Sequence, residues 1–250
     1  MMNAHIYHRI NKRNNKNNGM TYTLAVKCVD GAILAADTRF TVNNGSSYEY
    51  DHKITGEIRG VFTAFAGCRE PFEEFRMRLR EYAVEMDEKH EGIRLDQLWI
   101  KIKEIMRVLD GHYRQQSFDV LVGTSTNEGA ILRHFYQDGG SEPVGRYQAV
   151  GVGAPYGQIY LKTQCHDGIT MHAAADLAYF IIRYIERFKL DLTVGTGEKF
   201  PHPIIGFIPH AQLAKIFDVE PTKDEYEKYE NNAEIRLEKI QKSIINDYNI

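Results

Sequence analysis

The 250-residue chain is short of cysteine, of long apolar runs and of net charge, and each shortage removes a class of protein. Three cysteines (Cys28, Cys68 and Cys165) are an odd number at wide spacing. That does not make a disulfide scaffold and suits a reducing compartment, so a cytoplasmic protein is expected. The longest apolar stretch, around Ala173–Ile182, is interrupted by Asp176 and falls short of the roughly 20 residues that a membrane span needs. With 31 Lys+Arg against 34 Asp+Glu the formal net charge is −3, so no basic surface draws nucleic acid by electrostatics alone. Metal motifs are missing too. There is no Cys-x-x-Cys or His-Glu-x-x-His, and His202 and His210 lack partners at ligand spacing. Gly123–Gly129 lacks the Gly-Lys-Ser/Thr end of a phosphate loop, and Gly151-Val152-Gly153 lacks the third glycine of a dinucleotide fingerprint. No Gly-x-Ser-x-Gly elbow occurs. No cofactor and no metal are expected.

What is present is an ordinary globular composition, 43% apolar and 26% charged. Residues 1–20 hold Arg9, Lys12, Arg13, Lys16 and six asparagines with no acid and no hydrophobic h-region. They read as a disordered leader or propeptide, not a secretory signal. From Asp218 to Ile250, nine acids face five Lys/Arg. Leu237, Ile240, Ile244 and Tyr248 recur three and four apart, the stripe of a charged terminal helix. The sequence therefore divides into a leader (1–20), a folded body (21–217) and a helical extension (218–250).

Within the body, apolar runs Thr21–Val29 and Ala32–Phe40 flank Asp30-Gly31, a type I′ hairpin signal. Thr41–Asp51 reads as a polar loop, and Lys53–Ile58 and Val61–Ala66 as a second hairpin turning at Arg59-Gly60. The period then changes: Phe72, Phe75, Leu79 and Ala83 share one helical face, as do Leu98, Ile102, Ile105 and Leu109. Strands return at Phe118–Gly123, Ala130–Tyr136 and Tyr147–Val152. Helices near Tyr156–Gln164 and Met171–Phe188 follow, then a strand at Ile204–Ile208. Hairpins separated by helix pairs do not fit alternating βαβ units. They predict an α+β fold of two stacked antiparallel sheets, each covered outside by a helix pair.

One group of residues carries possible chemistry. A threonine hydroxyl is a weak nucleophile until a base takes its proton, and the α-amine of an N-terminal Thr21 is such a base, with a pKa near 8. Asp37 in the paired strand and Lys53 beyond it would place a positive charge near the hydroxyl. The N–H of Gly67, after Val61–Ala66, is placed to receive an oxyanion. By residue type alone the same side chains also fit cross-strand decoration.

The words of these segments resemble proteasome β-type subunits, N-terminal-nucleophile hydrolases that assemble into barrel proteases. Thr21-Tyr22-Thr23-Leu24-Ala25-Val26 is similar to the family's Thr-Thr-Thr-Val-Gly start, and Asp30-Gly31-Ala32-Ile33-Leu34-Ala35-Ala36-Asp37-Thr38-Arg39 to its Asp-Gly-Val-Val-Leu-Ala-Ala-Asp-x-Arg signature. Asp37, Lys53 and Gly67 lie 16, 32 and 46 residues after Thr21, the family separations. Gly151-Val152-Gly153-Ala154 stands where the family has Gly-Ser-Gly, and Asp191-x-x-Val194-Gly195 where it has Asp-x-x-Ser-Gly. The likeness runs from Thr21 to Ile208.

It implies the four-layer αββα sandwich and a threonine-type endopeptidase acting on peptides or unfolded protein. By the resemblance Thr21 attacks, Lys53 tunes it, Asp37 holds Lys53, Gly67 supplies the oxyanion hole, and Arg39 and Asp191 support the site. It also implies a homo- or hetero-oligomeric ring, with α-type subunits or an ATPase as candidate partners. In the family the residue two before the oxyanion glycine floors the specificity pocket. Phe65 there and Arg69 at the rim predict a shallow pocket favouring small or acidic side chains. Two departures stand out. Val152 and Val194 replace serines that flank the family's N-terminal amine, and Gly19 is followed by Met20 rather than directly by the threonine. The valines keep alive a degenerate, purely structural β-like subunit. An N-terminal-nucleophile amidohydrolase or peptide ligase is a further alternative.

Overall fold

In the computed structural model, residues 21–42, 47–88, 94–198, 200–210 and 220–248 are described. The expected leader (1–20), the middle of the expected Thr41–Asp51 loop, and the side chains of Ile244 and Tyr248 lie outside them. Eleven strands and five helices follow in chain order among the described residues. They are β1 (Tyr22–Cys28), β2 (Gly31–Ala36), β3 (Arg39–Val42), β4 (Ser47–Tyr50), β5 (Ile54–Ile58), β6 (Val61–Ala66), α1 (Arg69–Glu88) and α2 (Leu95–His112). Then come β7 (Asp119–Thr126), β8 (Gly129–Tyr136), β9 (Ser141–Pro143), β10 (Tyr147–Gly151), α3 (Ala154–Gln164), α4 (Met171–Arg187), β11 (Ile204–Pro209) and α5 (Lys223–Tyr248).

Two antiparallel sheets, ordered β10-β1-β2-β11 and β5-β6-β7-β8-β9, stack face to face. Side-chain alternation along each strand divides the core into three layers. Ala25, Ala32, Leu34, Ala64, Leu121, Leu132 and Val150 fill the space between the sheets. Phe65, Val120, Val122 and Phe135 point the other way, to meet Phe72, Phe75 and Leu79 of α1 and Leu98, Ile102 and Leu109 of α2. Leu24, Val26, Ile33 and Phe207 face α3 and α4. The fold is the α+β, four-layer αββα sandwich. Several of the inner residues are alanine, whose small side chains let the sheets approach closely.

α4 is buried nearly all round because α5 packs on its outer side. Asp176, the charge that interrupts its apolar run, accepts hydrogen bonds from Asn232 (2.8 Å) and Arg236 (2.7 Å) of α5, so the burial is compensated. Tyr229, Ala233 and Leu237 supply the apolar stripe of α5.

Three local expectations are corrected. The first hairpin turns at Val29-Asp30, with Cys28 and Gly31 as its last pair, and Lys189 is the one non-glycine residue with positive φ among those described. A type I′ turn through Asp30 is thus ruled out. Asp30 is bound elsewhere, accepting from the N–H of Met171 (2.8 Å) at the start of α4. Gly31 is required by crowding instead: a Cβ there would lie 2.3 Å from the Ile208 carbonyl. Second, Ala32–Phe40 is not one strand. The chain leaves the sheet after Ala36, where the N–H groups of Thr38 and Arg39 donate to the Gly195 carbonyl. Third, part of the expected polar loop is strand: β3 and β4 form a separate two-stranded ribbon.

Candidate active site

Thr21 stands at the foot of β1, one step before the Tyr22–Gly151 pair at which the β1–β10 ladder ends, and Val152 is in the turn that follows Gly151. The Gly67 N–H, just past the end of β6, donates to Thr21 Oγ1 at 2.8 Å. Gly67 has φ +152°, and a Cβ there would press on Phe118 (2.6 Å) and Phe65 (2.9 Å). Only glycine lets the backbone come this near the threonine while the phenylalanines sit behind it. Gly151 does the same on the other side, at φ +91°, where a Cβ would lie 2.0 Å from the Thr21 carbonyl.

Asp37 and Lys53 form an ion pair at 2.6 Å, both side chains fully buried. Asp37 is the hub. One carboxylate oxygen accepts from Lys53 and from the Tyr22 N–H (2.9 Å), the other from the Gly195 N–H (3.2 Å). Lys53 also donates to the Arg39 carbonyl. Burial raises the Asp37 pKa against the pull of Lys53. It brings that of Lys53 down to about 8, against the pull of Asp37, because a low-dielectric surrounding disfavours either charge. A lysine poised near neutrality is able to change charge in the working range of a hydrolase.

Arg39 binds the loop beyond α4, donating to the carbonyls of Leu192 (2.6 Å) and Val194 (3.4 Å) and pairing with Glu186 (3.7 Å). Asp191 accepts from Thr193 N–H (2.9 Å) and from its hydroxyl. It shapes the loop that carries Val194 and Gly195, and these bonds tie it to that loop rather than to Thr21. Val194 is fully buried and Val152 half-buried. Phe65 has no exposed surface; its ring packs on Phe72, Phe75 and Phe118, so it backs Gly67 from the core side. Arg69, in the first turn of α1, pairs with Glu49, Asp51 (3.4 Å) and Glu73 (3.8 Å).

The structure thus brings Thr21, Asp37, Lys53 and Gly67 together, with Arg39 one bond away through its carbonyl. Sequence reasoning missed Phe40, whose ring lies under Lys53 Nζ at 4.8 Å, and the anchoring N–H of Gly195. The second carried a signal in the Asp-x-x-Val-Gly motif; the first carried none. No group of three or more His, Cys, Asp or Glu side chains fit for a metal occurs among the described residues. The geometry offers a hydroxyl, a donor for an oxyanion and a neighbouring buried cation, the parts of an acyl-transfer centre.

Among curated protein sequences none matches the chain. Solved structures do resemble it. Anbu (ancestral beta-subunit) from Yersinia bercovieri superimposes with a TM-score of 0.72 at 15% identity, over 90% of this chain and 97% of that one. An Anbu Gly-1 mutant from Hyphomicrobium sp. strain MC1 gives 0.71 at 15%, over 90% and 96%. At that identity the likeness establishes the fold. The sequence itself fits the model of the proteasome subunit family over residues 17–191, a span that includes every residue of the constellation but Gly195, and the chain belongs to that family.

Proposed function

We infer that the protein is a threonine-type endopeptidase of the proteasome β kind, cleaving peptides or unfolded protein in the cytoplasm as part of an oligomeric ring. The observation that carries this reading is the 2.8 Å bond from Gly67 N–H to Thr21 Oγ1, beside a buried lysine–aspartate pair. Removal of residues 1–20 frees the α-amine, which takes the hydroxyl proton as Oγ1 attacks the substrate carbonyl. The ammonium of Lys53 lowers the hydroxyl pKa by its field, and the Gly67 N–H stabilises the developing oxyanion. Collapse of the tetrahedral intermediate expels the amine product, and water then releases the acyl group from Thr21.

The Arg69 guanidinium pairs with Glu49, Asp51 and Glu73, and Glu73 is shared with Arg76. With its charge engaged by these carboxylates, Arg69 narrows the rim, and small side chains before the cut bond are the ones expected to be cleaved fastest. Thr21→Ala is expected to abolish hydrolysis of a fluorogenic peptide and to leave the fold unchanged by circular dichroism. Turnover at the wild-type rate would overturn the reading.

A second reading, a structural β-like subunit with an idle site, is favoured by one observation. Valine stands at both 152, next to the Gly151 that crowds the Thr21 carbonyl, and 194. If missing hydroxyls limit the site, Val152→Ser with Val194→Ser should raise kcat by up to about 10²-fold, at a stability cost on the order of 1–3 kcal/mol for an unpartnered buried hydroxyl. Stopped-assay kinetics decide it: a stable double variant with unchanged kcat means that the valines do not limit turnover.

A further inference from the structure

Lys53 is fully buried, yet two of its contacts ask it to carry a full positive charge: Asp37 at 2.6 Å and the Arg39 carbonyl. Its third neighbour is unusual for a buried amine. The Phe40 ring lies 4.8 Å from Nζ, is itself fully buried, and is held in place by stacking on Phe72 with centroids 5.6 Å apart and planes 27° apart. Phe72 packs in turn on Phe65, which backs Gly67. One phenylalanine cluster therefore underlies both the lysine and the oxyanion donor.

We propose that Phe40 is a positioning residue that keeps Lys53 in its ammonium form, through attraction between the cation and the face of the ring. This deepens the peptidase reading and rests on it for its catalytic consequence. The electrostatic surroundings make such a device useful. The charged groups bearing on Lys53 are Asp37, just past β2, and Arg39, on β3, whose guanidinium opposes a second cation nearby. Of the chain neighbours, Asp51 is turned to Arg69 and His52 lies edge-on to the Phe200 ring. Burial lowers the lysine and raises the aspartate, so the pair is pushed toward passing the proton from Nζ to the carboxylate and losing both charges. A second carboxylate would steady the ammonium but would also accept its proton. An aromatic face attracts the cation and has no site for the proton. It selects one protonation state without adding a base.

The test follows Lys53 directly, in the full-length chain labelled with ¹³C at lysine Cε, with the resonance assigned by its absence in Lys53→Arg. Its titration midpoint is compared in the wild type, in Phe40→Leu and in a chain with 3,5-difluorophenylalanine at position 40, which keeps the ring's shape while weakening its negative face. The midpoint should fall by about one pH unit in Phe40→Leu, the size that a desolvated cation–π contact supports, and by less in the fluorinated chain. The alkaline limb of the kcat/KM profile should move with it. A midpoint that stays within about 0.2 pH unit in the fluorinated chain overturns the proposal, even if Phe40→Leu fails to fold. A midpoint that moves in a protein without peptidase activity leaves Phe40 its role and removes the peptidase reading. Activity with an unmoved midpoint removes the Phe40 role alone.

Discussion

Asp37 is one carboxylate with three separate tasks: holding the ammonium of Lys53, taking the Tyr22 N–H at the foot of β1, and taking the Gly195 N–H beyond α4. Asp37→Ala leaves a buried lysine with no counter-charge. Losing one partner of a buried pair costs about 3–5 kcal/mol, so denaturant unfolding should show a fall of that order. The pH dependence has a definite sign. In Asp37→Ala the ammonium loses its nearest support, and Lys53 should deprotonate at lower pH than the value of about 8 in the wild type. Any residual hydrolysis should then decline earlier as pH rises. Equal pH–rate profiles for the two proteins would mean that Lys53 does not act through its charge.

At the scale of elements, the outermost helix is the piece whose contribution is easiest to isolate. α5 reaches the body through Tyr229, Ala233 and Leu237 and through the Asp176 network, and none of these touches Thr21. Leu237→Ala should cost about 2–5 kcal/mol by thermal or chemical unfolding with kcat unchanged in the folded fraction. A large loss of kcat would mean that the helix acts on the site. The helices were legible in the sequence through their period of 3.6, as in Phe72-Phe75-Leu79, and the core strands as short apolar runs bounded by turn residues, such as β6, which is apolar on both faces. The β3–β4 ribbon was not legible. Its strands are four residues each, too short for a period to show, and the break at Asp37 depends on the Gly195 carbonyl, 158 residues away. The offsets of Asp37, Lys53 and Gly67 from Thr21 could be read because they are linear spacings. Phe40 could not be placed, since nothing in the sequence says which face of a short ribbon a phenylalanine takes, and only the fold puts it beneath Lys53.

For the molecule as a whole, the constellation joins segments that are far apart along the chain: Gly67 to Thr21 across 46 residues, Lys53 to Asp37 across 16, and Gly195 to Asp37 across 158. Contacts of such separation are the last that a folding chain can afford, because closing long loops must precede any return from them. The grip on Asp37 therefore doubles as a test of completion. In the proposed peptidase, a chain with one sheet built and the other still open has neither its oxyanion donor against Thr21 nor its lysine held on Asp37, so the bond before Thr21 should stay intact until both sheets have docked. Refolding followed in parallel by intrinsic fluorescence and by intact mass should show the species beginning at Thr21 only after the native signal, never ahead of it. Early appearance in partly folded chains would assign the cut to another protease. The lag, if observed, would make maturation a clock set by topology: the proposed peptidase would acquire its cutting edge only once there was a finished wall around it.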